Sequence, residues 1–384
     1  MINVAVIGTG NISKLHIKGF LEFPQRCRIV ALVDIYPEKA AEKAKEFSLD
    51  AEIFSSHKAI LDREDIQLVS ICTPPYTHAE LAVDFLNAKK DVILEKPMAA
   101  SLEECDAINR AAEENNRTLS VVAQNRFRTP IMKLKKTLDA GLIGDVVHAQ
   151  VDSFWWRGRC YYDLWWRGTW EKEGGGCTLN HAVHHIDMLS WMMGLPKEIH
   201  SVMSNTSHDN SEVEDLSIAI LKYPNGGLGQ ITSSVVHHGE EQQIVFQGKN
   251  ARISAPWKVY ASKSKENGFP IEDQSLEKEI QSYYDNLPEL TNIAHTGQID
   301  NVLTAMENGT EPMITGIDGR RTLEIITAIY KSASTGLPVG LPLSKDDAYY
   351  TAGGIMENSI HFYKKTTSIE NFSSENITVG SNYK

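Results

Sequence analysis

The sequence predicts an α/β protein of two domains, and three observations lead to this prediction. Strand-like apolar runs alternate with amphipathic helical stretches over the first third of the chain, as in a doubly wound parallel sheet. After about residue 124, alternating apolar and polar residues joined by hairpin-like turns predict a large, mostly antiparallel open sheet with helices on one face. The chain is also long for one domain, at 384 residues. We expect domains at 1–123 and 124–345 and a C-terminal extension at 346–384.

The first domain is expected to alternate strands and helices from its first residues onward. The strands read NVAVIG, RIVALVD, LVSICTP, DVILEKP and TLSVVAQ, and the helical stretches include YPEKAAEKAKEF, HAELAVDFLNA and SLEECDAINRAAEEN. In the last of these stretches, Ser101 and Glu104 have the spacing of a capping box.

A glycine turn follows the first strand, in the segment VAVIGTGNIS that runs from Val4 to Ser13. Gly8 permits a tight turn, Gly10 lets the backbone approach a pyrophosphate, and the next helix offers unpaired N–H groups to that anion. Asp34 ends the second strand, where an acid reaches the ribose hydroxyls. Strand, turn, helix and acid together predict a dinucleotide site, although Ser13 is bulkier than the usual Gly or Ala.

Two further loops should line the same crevice, because ligands of such sheets bind beyond the carboxyl ends of the strands. Thr73-Pro74-Pro75 and Glu95-Lys96-Pro97 both end strands at that edge. Lys96 can be an ordinary solvated lysine. At this position it can also hydrogen-bond a substrate oxygen, with its pKa lowered by burial, and we favour that interpretation.

The second domain should begin with a helix from Pro130 to Ala140 and a strand that reads DVVHAQVDSF. A helix from about Cys177 to Met193, further alternating strands and two late helices, near His295–Asn308 and Asp318–Thr335, should follow. The extension is rich in Ser, Asn and Tyr, so we expect it either to wrap around the body of the protein or to be partly disordered.

A glycine-rich segment opens the middle helix of this domain and reads GGGCTLNHAVHHID. Asn180, His184 and Asp187 should share one helical face, where His184 can act as general acid and base because its ordinary pKa lies near working pH. His181 and His185 are one turn apart, but without HExxH, clustered cysteines or a further ligand we expect no metal. The alternative for each histidine is a core residue bonded to a backbone carbonyl.

A tract dense in aromatic residues and arginine runs from Phe154 to Trp170 and reads FWWRGRCYYDLWWRGTW. Aromatic faces stack on sugar rings and arginine binds carboxylates or phosphates, so the tract suits an anionic or nucleotide-linked sugar. A subunit interface is one alternative, since interfaces are enriched in the same residues. In the second alternative, the tract is structural: Arg157, Arg159 and Arg167 pair with acids and merely hold the loop. The acids near them in sequence are Asp163, Glu171 and Glu173.

Composition argues against several classes of function. A net charge of −12 without a dense Lys/Arg block disfavours nucleic acid or an anionic membrane as a partner. The five scattered cysteines indicate thiols of a reducing compartment, not disulfides or a zinc site. The first residues already form a strand, and no apolar run approaches membrane-spanning length. We therefore expect a cytoplasmic protein.

The glycine turn, Glu95-Lys96-Pro97 and the GGGxxxNxxxHxxD segment together resemble the glucose-fructose oxidoreductase/inositol dehydrogenase (Gfo/Idh/MocA) family, to about Leu343. The resemblance implies a Rossmann domain and an α/β domain whose open sheet usually mediates oligomerisation, hence a homodimer or homotetramer. It implies reversible hydride transfer between a carbinol carbon of a sugar or cyclitol and NAD, with Lys96 as functional lysine and His184 as catalytic histidine. The family often has Asp where this chain has Asn180, so a proton relay through that position is lost.

Within the family, YYD, WRGTW, GGG and Asn180 resemble the branch that oxidises C3 of UDP-linked amino sugars and uronates. The alternatives are a free inositol or aldose dehydrogenase and a non-catalytic NAD-binding regulator, although the presence of both Lys96 and His184 argues against a regulator. The expected cofactor-binding residues are Gly8, Gly10, Asn11, Ile12, Asp34, Thr73, Pro74, His78, Glu95, Lys96, Gln124, Trp166 and Arg167. The expected substrate-binding residues are Lys96, Arg126, Tyr162, Arg167, Asn180 and His184.

Overall fold

The computed structural model describes residues 1–370 and residue 372, which fall into two compact units. Unit 1 comprises Met1–Phe127, Thr291–Leu323 and Tyr350–Gly353; unit 2 comprises Arg128–Leu290, Glu324–Tyr349 and the described residues from Gly354 onward. The division expected from the sequence placed residues 291–323 in the second domain. In the structure these residues pack with the first unit.

The strands are, in chain order, β1 (Ile2–Ile7), β2 (Cys27–Val33), β3 (Glu52–Phe54), β4 (Leu68–Ile71), β5 (Asp91–Leu94), β6 (Leu119–Val121), β7 (Val146–Phe154), β8 (Glu198–Ser204), β9 (Leu216–Lys222), β10 (Leu228–Ser234), β11 (Gln242–Gly248), β12 (Ala251–Ala255), β13 (Lys258–Ser264), β14 (Pro270–Glu272) and β15 (Val339–Gly340). The helices are α1 (Ser13–Leu21), α2 (Pro37–Glu46), α3 (His78–Asn87), α4 (Leu102–Asn115), α5 (Thr129–Asp139), α6 (Cys177–Asn180), α7 (Val183–Met193), α8 (Gln274–Asn286), α9 (Ala294–Asn308), α10 (Gly316–Thr335) and α11 (Ala352–Asn358).

Unit 1 is built on a parallel sheet with the strand order β3-β2-β1-β4-β5-β6. The chain reverses its direction of winding between β1 and β4, and this is where ligands of such sheets bind. The predicted doubly wound parallel sheet is confirmed. The sequence analysis missed β3, which has only three residues and no apolar alternation.

Residues 291–323 belong to unit 1 because α9 completes its core. Ile299, Val302 and Leu303 on α9 are buried in one cluster with Ile17 and Phe20 of α1. At the edge of this contact, Arg26 pairs with Asp300 at 2.5 Å and with Glu307 at 2.8 Å. The predicted helix was therefore present, but the sequence gives no sign of which sheet it covers.

Unit 2 contains a sheet of order β14-β13-β12-β11-β7-β10-β9-β8-β15. Neighbouring strands are antiparallel except for β7 and β10, which confirms the predicted, mostly antiparallel sheet. Along β9, Ala219 and Leu221 are buried, whereas Ile218 and Ile220 between them are exposed. The helices α5 to α8 pack on the sheet, and the alternation shows that its other face is open.

The C-terminal extension follows the surface of unit 2 as far as it is described. After α11, residues 360–369 form hydrogen bonds to the aromatic tract and to the loop that joins β8 and β9. This part of the extension wraps around the body of the protein, one of the two outcomes expected. Residues 371 and 373–384 lie outside the described residues.

All five cysteines are free thiols, and four of them are buried. In the described part of the chain, none of the helices combines the length and apolar character that crossing a membrane requires.

The first testable expectation concerns the start of α4. The buried Ser101 hydroxyl accepts a hydrogen bond from the Glu104 N–H at 3.2 Å, while the Glu104 carboxylate accepts from the Ala100 N–H at 2.8 Å. Ser101→Ala should lower the free energy of unfolding by about 1 kcal/mol, since it removes the cap. Urea unfolding measures this, and Ser282→Ala on the exposed face of α8 is the control. Equal losses for the two variants would contradict the capping role.

Candidate active site

The glycine turn of unit 1 permits a close approach between β1 and the end of β4. Gly8 has φ +84°, and its N–H donates to the Val33 carbonyl at 2.8 Å. A Cβ on Gly8 would lie 2.8 Å from Thr73 Cγ2 and 3.0 Å from the Cys72 carbonyl. Only glycine combines this conformation with this space, so the residue is fixed by the turn itself.

Asp34, half-buried at the end of β2, is tied to the same turn. Its Oδ2 accepts hydrogen bonds from the Thr9 N–H at 2.8 Å and from the Thr9 hydroxyl at 2.7 Å, and its Oδ1 accepts from the Tyr36 N–H at 2.9 Å. These bonds fix the orientation of the carboxylate that should meet the ribose.

The start of α1 has room for a pyrophosphate. A Cβ on Gly10 would meet no atom within 4 Å, and α1 begins after Ile12 with no side-chain cap on its N–H groups. Asn11 is exposed beside Gly10, and the Ser13 hydroxyl donates to the Gly10 carbonyl at 2.7 Å. Open space in front of uncapped N–H groups fits an anion, so these residues suit the diphosphate of a dinucleotide.

Two loops at the carboxyl edge of the sheet are joined through His78. The side chain is fully buried, with Nδ1 2.8 Å from the Pro97 carbonyl and Nε2 2.9 Å from the Thr73 carbonyl. Burial lowers the pKa of His78, although both backbone contacts act to raise it. Because both ring nitrogens face these carbonyls, His78 connects the loops that follow β4 and β5, and its predicted contact with the cofactor remains a prediction.

The Glu95 carboxylate is buried beneath Lys96. It accepts hydrogen bonds from His16 Nε2 at 2.9 Å and from the Lys96 N–H at 3.0 Å, and His16 Nδ1 contacts the Ser70 hydroxyl at 2.8 Å. Burial acts to raise the pKa of Glu95, but His16 and His295 outweigh it and hold the pKa well below its usual value. Burial acts to lower the pKa of His16, but Cys72 and Glu95 raise it to about 10. These shifts favour the charged forms of both side chains, which lie 2.9 Å apart as a buried pair.

His16, Glu95 and His295 also offer ligand atoms within 4.8 Å of one another. Tetrahedral zinc would hold ligand atoms roughly 3.3 Å apart, given its bonds of about 2.0–2.1 Å to nitrogen and oxygen. The 2.9 Å between His16 and Glu95 is instead the distance of a charge-assisted hydrogen bond. Neither of the His/Cys/Asp/Glu groups found among the described residues includes His181 or His185.

Two more predicted residues follow β6. The Gln124 side-chain oxygen is buried and has no hydrogen-bond partner among the described residues, so a donor on a ligand can satisfy it. Arg126 is 1% exposed and pairs with Asp318 at 3.1 Å. A substrate role for Arg126 would have to compete with this ion pair, which the sequence gave no reason to expect.

In unit 2, the single helix expected through the glycine-rich segment is interrupted between α6 and α7. The Ala182 N–H donates to the Cys177 carbonyl at 2.9 Å, five residues back, where a regular helix bonds four residues back. The prediction of one continuous helix from about Cys177 to Met193 is therefore wrong, and the break falls between Asn180 on α6 and His184 and Asp187 on α7. Such wide turns occur frequently at functional sites.

His184 is half-buried in the first turn of α7, and Asn180 ends α6. The Asn180 amide donates to the Gly175 carbonyl at 2.9 Å and to the Gly176 carbonyl at 3.3 Å, so it fixes the preceding glycines. The neighbouring His185 is 1% exposed, and burial lowers its pKa to about 4. Of the two adjacent histidines, His184 is thus the more accessible.

The sequence analysis missed Glu214, which organises the glycines from the loop before β9. Its buried carboxylate accepts hydrogen bonds from the N–H groups of Gly176 at 3.1 Å and Thr178 at 2.9 Å, and from the Tyr330 hydroxyl at 3.1 Å. A Cβ on Gly176 would lie 2.0 Å from the Glu214 carbonyl oxygen. Burial raises the pKa of Glu214. The sequence gave no signal for this role, because Glu214 lies between other acids in the run SEVED.

The arginines of the aromatic tract are all paired with acids. Arg167 contacts Glu173 at 3.2 Å, one of the pairings expected if the arginines hold the loop. The other two pair with acids far away in sequence: Arg157 with Glu240 at 2.6 Å, and Arg159 with Asp209 at 2.7 and 2.9 Å. This pattern supports a structural role and weakens the argument for an anionic substrate that rested on composition alone.

Arg167 nonetheless lies among aromatic rings, with its guanidinium 4.0 Å from the centre of Tyr161 and 4.3 Å from that of Trp166. Tyr162 is 1% exposed, so it contributes packing and its backbone to this region. Burial raises the pKa of Glu173 to about 7, although Arg167 acts to lower it.

The sequence also matches known families. Residues 2–123 match the oxidoreductase family with the NAD-binding Rossmann fold (Gfo/Idh/MocA), and residues 135–341 match the C-terminal alpha/beta domain of the same family. Together these matches cover most of the chain. The chain therefore belongs to the Gfo/Idh/MocA family of NAD-dependent oxidoreductases, which confirms the resemblance found in the sequence.

Individual relatives differ in what they act on. The crystal structure of the WlbA dehydrogenase from Bordetella pertussis in complex with NADH and UDP-GlcNAcA is 28% identical, covers 89% of this chain and 99% of that one, and has a TM-score of 0.75. Levoglucosan dehydrogenase of Pseudarthrobacter phenanthrenivorans is 27% identical over 64% of this chain and 70% of its own. Inositol 2-dehydrogenase of Rhizobium meliloti is 25% identical over 87% of this chain and 97% of its own.

The ion pair beneath Lys96 predicts a pH dependence of stability. The pKa of His16 is raised from 6.5 to about 10, so its stabilising contribution is complete below pH 6.5 and is lost as the pH rises to 10. The melting-temperature difference between the natural protein and His16→Gln should therefore be largest near pH 6 and should fall by more than about half by pH 10. Calorimetry measures this, with the exposed His361→Gln as control. A difference that does not change with pH would contradict the ion pair.

Proposed function

We propose that this protein uses NAD to oxidise a secondary hydroxyl of a sugar derivative, namely C3 of a UDP-linked amino sugar or uronate. The observation that carries the proposal is Lys96, which follows β5 at the carboxyl edge of the sheet that also bears the glycine turn. Similarity to a dehydrogenase solved with NADH and UDP-GlcNAcA supports this substrate class, as do the YYD, WRGTW and GGG motifs and Asn180.

Each proposed catalytic group has one task. Bound NAD supplies the nicotinamide carbon that accepts the hydride. The His184 imidazole takes the proton of the substrate hydroxyl, a general-base role for which histidine is the most frequent side chain. The Lys96 ammonium donates a hydrogen bond to the substrate oxygen and stabilises the negative charge that develops there. Asn180 can hydrogen-bond the substrate but cannot carry a proton.

The structure also bears on how Lys96 is held. Its N–H donates to Glu95, which is fixed by His16 on α1, the helix that follows the glycine turn. The residues that hold the dinucleotide and the residue that contacts the substrate oxygen are therefore connected through two buried side chains. This connection keeps the lysine backbone in register with the cofactor-binding turn.

A free inositol or aldose dehydrogenase is the second candidate function. The pairing of Arg157, Arg159 and Arg167 with acids favours it, because a neutral polyol needs stacking surfaces and hydroxyl partners and no free cation. Similarity to levoglucosan and inositol dehydrogenases points in the same direction.

The partner we propose for the open face of the unit 2 sheet is a second copy of the chain, in a homodimer or homotetramer. This face exposes apolar side chains at Val202, Ile218, Ile220, Leu228 and Tyr260. Exposed apolar patches of this kind mark protein contacts.

The experiment that separates the candidates is a screen for NADH formation over UDP-linked uronates, UDP-linked amino sugars, inositols and free aldoses. Formation of NADH with a UDP-linked sugar alone supports the first proposal, and turnover of a free polyol alone supports the second. If none of these substrates reduces NAD, both proposals fail.

Lys96→Met and His184→Ala should each lower kcat by about two orders of magnitude or more, because each removes a group that acts on the reacting hydroxyl. NAD should still bind, as measured by fluorescence titration. Asn180→Ala should have a smaller effect, since an amide moves no proton. Near-normal turnover of His184→Ala at saturating substrate would show that another residue is the base.

NAD should be preferred over NADP. The Asp34 carboxylate accepts hydrogen bonds from ribose hydroxyls and repels a 2′-phosphate, so Asp34→Ala should lower kcat/KM for NAD by roughly 10–100-fold, the value of one charge-assisted bond. Glu38→Ala, which removes an exposed acid in the first turn of α2, should leave kcat/KM for both cofactors unchanged. Equal use of NAD and NADP by the natural protein would contradict the role of Asp34.

A further inference from the structure

The segment of residues 360–369, which we call the strap, lies along the aromatic tract of unit 2. It follows α11 and comes after the last residue, 341, that matches the C-terminal domain of the family. The strap therefore lies outside the part of the chain that matches the family. It contacts the tract at three places.

The far end of the strap pairs with the middle of the tract. The Ile369 N–H donates to the Asp163 carbonyl at 2.8 Å, and the Ile369 carbonyl accepts from the Trp165 N–H at 3.0 Å. The result is a parallel bridge between Ile369 and Leu164. Backbone hydrogen bonds of this kind fix the course of the tract and not only one side chain.

The middle of the strap is held through Asn210, which is 5% exposed. The Asn210 side-chain oxygen Oδ1 accepts from the N–H groups of Thr366 at 2.8 Å and Thr367 at 2.9 Å, and its side-chain amide donates to the Thr367 carbonyl at 2.9 Å. The same amide lies 3.4 Å from the Tyr162 carbonyl, to which Lys365 Nζ also donates. Strap and tract thus share one buried asparagine.

The near end of the strap meets the last tryptophan of the tract. Trp170 Nε1 donates to the Ile360 carbonyl at 3.1 Å, and the Phe362 N–H donates to the Glu212 carbonyl at 2.9 Å. The Glu212 carboxylate in turn accepts from the Trp170 N–H at 3.2 Å. Arg167, a predicted substrate contact, therefore lies between the attachments at Trp165 and Trp170, and the carbonyl of Tyr162, the other predicted contact, is itself an attachment point.

We propose that the strap is a specificity-determining element that holds the tract in its substrate-binding arrangement. The proposal rests on the proposed function together with the expectation from the sequence that Tyr162 and Arg167 of the tract contact the substrate. Its physical basis is that the strap supplies hydrogen-bond partners to the tract backbone at Tyr162, Asp163 and Trp165, and to the indole N–H of Trp170. Without these partners, Tyr162–Arg167 would have to find others in water and would no longer be held in one geometry.

The test uses the full-length chain with two substitutions that act on different parts of the strap. Ile369→Pro removes the N–H that donates to Asp163, and Asn210→Ala removes the side chain that strap and tract share. The matched controls are Ser368→Ala, at an exposed position of the strap, and Asn225→Ala, which removes an exposed asparagine of the turn between β9 and β10.

The first measurement is hydrogen exchange of the amides of residues 160–170, which needs no substrate. Both test variants should exchange at least about tenfold faster there than the natural protein, while β1 and β4 keep their protection. The controls should match the natural protein. Unchanged exchange in either test variant that folds would overturn the proposal.

The second measurement is steady-state kinetics with the sugar that the screen identifies. The test variants should raise KM for the sugar about tenfold or more, because the tract that they release carries the predicted substrate contacts Tyr162 and Arg167. Faster exchange with an unchanged KM for the sugar would overturn the specificity role. If the natural protein oxidises no sugar, the proposed function fails, and the exchange experiment alone then decides whether the strap holds the tract.

Discussion

The carboxylate of Glu95 is the point at which the separate elements of the nucleotide half of unit 1 meet. It receives hydrogen bonds from His16 on α1 and from the Lys96 N–H at the end of its own strand, and it lies 3.7 Å from His295 on α9. A buried carboxylate without such partners would destabilise the fold by several kcal/mol. The glycine turn, the lysine and the late helix are therefore held in a single arrangement, since a shift of any one of them removes a partner from a buried charge.

Glu214 has a comparable position in unit 2, but its partners differ in kind. Glu95 faces a protonated histidine, which holds the pKa of its carboxyl low, whereas Glu214 faces neutral N–H groups and a phenol, and burial raises its pKa. In both cases a buried acid binds the backbone of the segment that carries a proposed catalytic residue. The positions of Lys96 and His184 thus depend on side chains that do not themselves react.

The sequence was sufficient where a feature depends on local pattern. The turn at Gly8 requires a positive φ, which glycine adopts readily, and Asp34 is the residue directly after β2. Both could therefore be found without coordinates. The partners of the arginines could not, because Arg157 and Arg159 pair with acids 83 and 50 residues away. The break between α6 and α7 was missed because no Pro or Gly interrupts the helical pattern between Cys177 and Met193.

Because α9 lies late in the chain, the core of unit 1 cannot be completed during synthesis until residues 128–290 of unit 2 have been made. Ile299, Val302 and Leu303 fill the core next to Ile17 and Phe20, yet nearly three hundred residues separate the two ends of that contact. A nascent chain that has passed Phe127 already contains every strand of the parallel sheet but leaves the apolar side of α1 uncovered. All of unit 2 up to Leu290 must then emerge before the missing helix can cover it. This surface is accordingly exposed to chaperones, or to other nascent chains, while that part of unit 2 is being made.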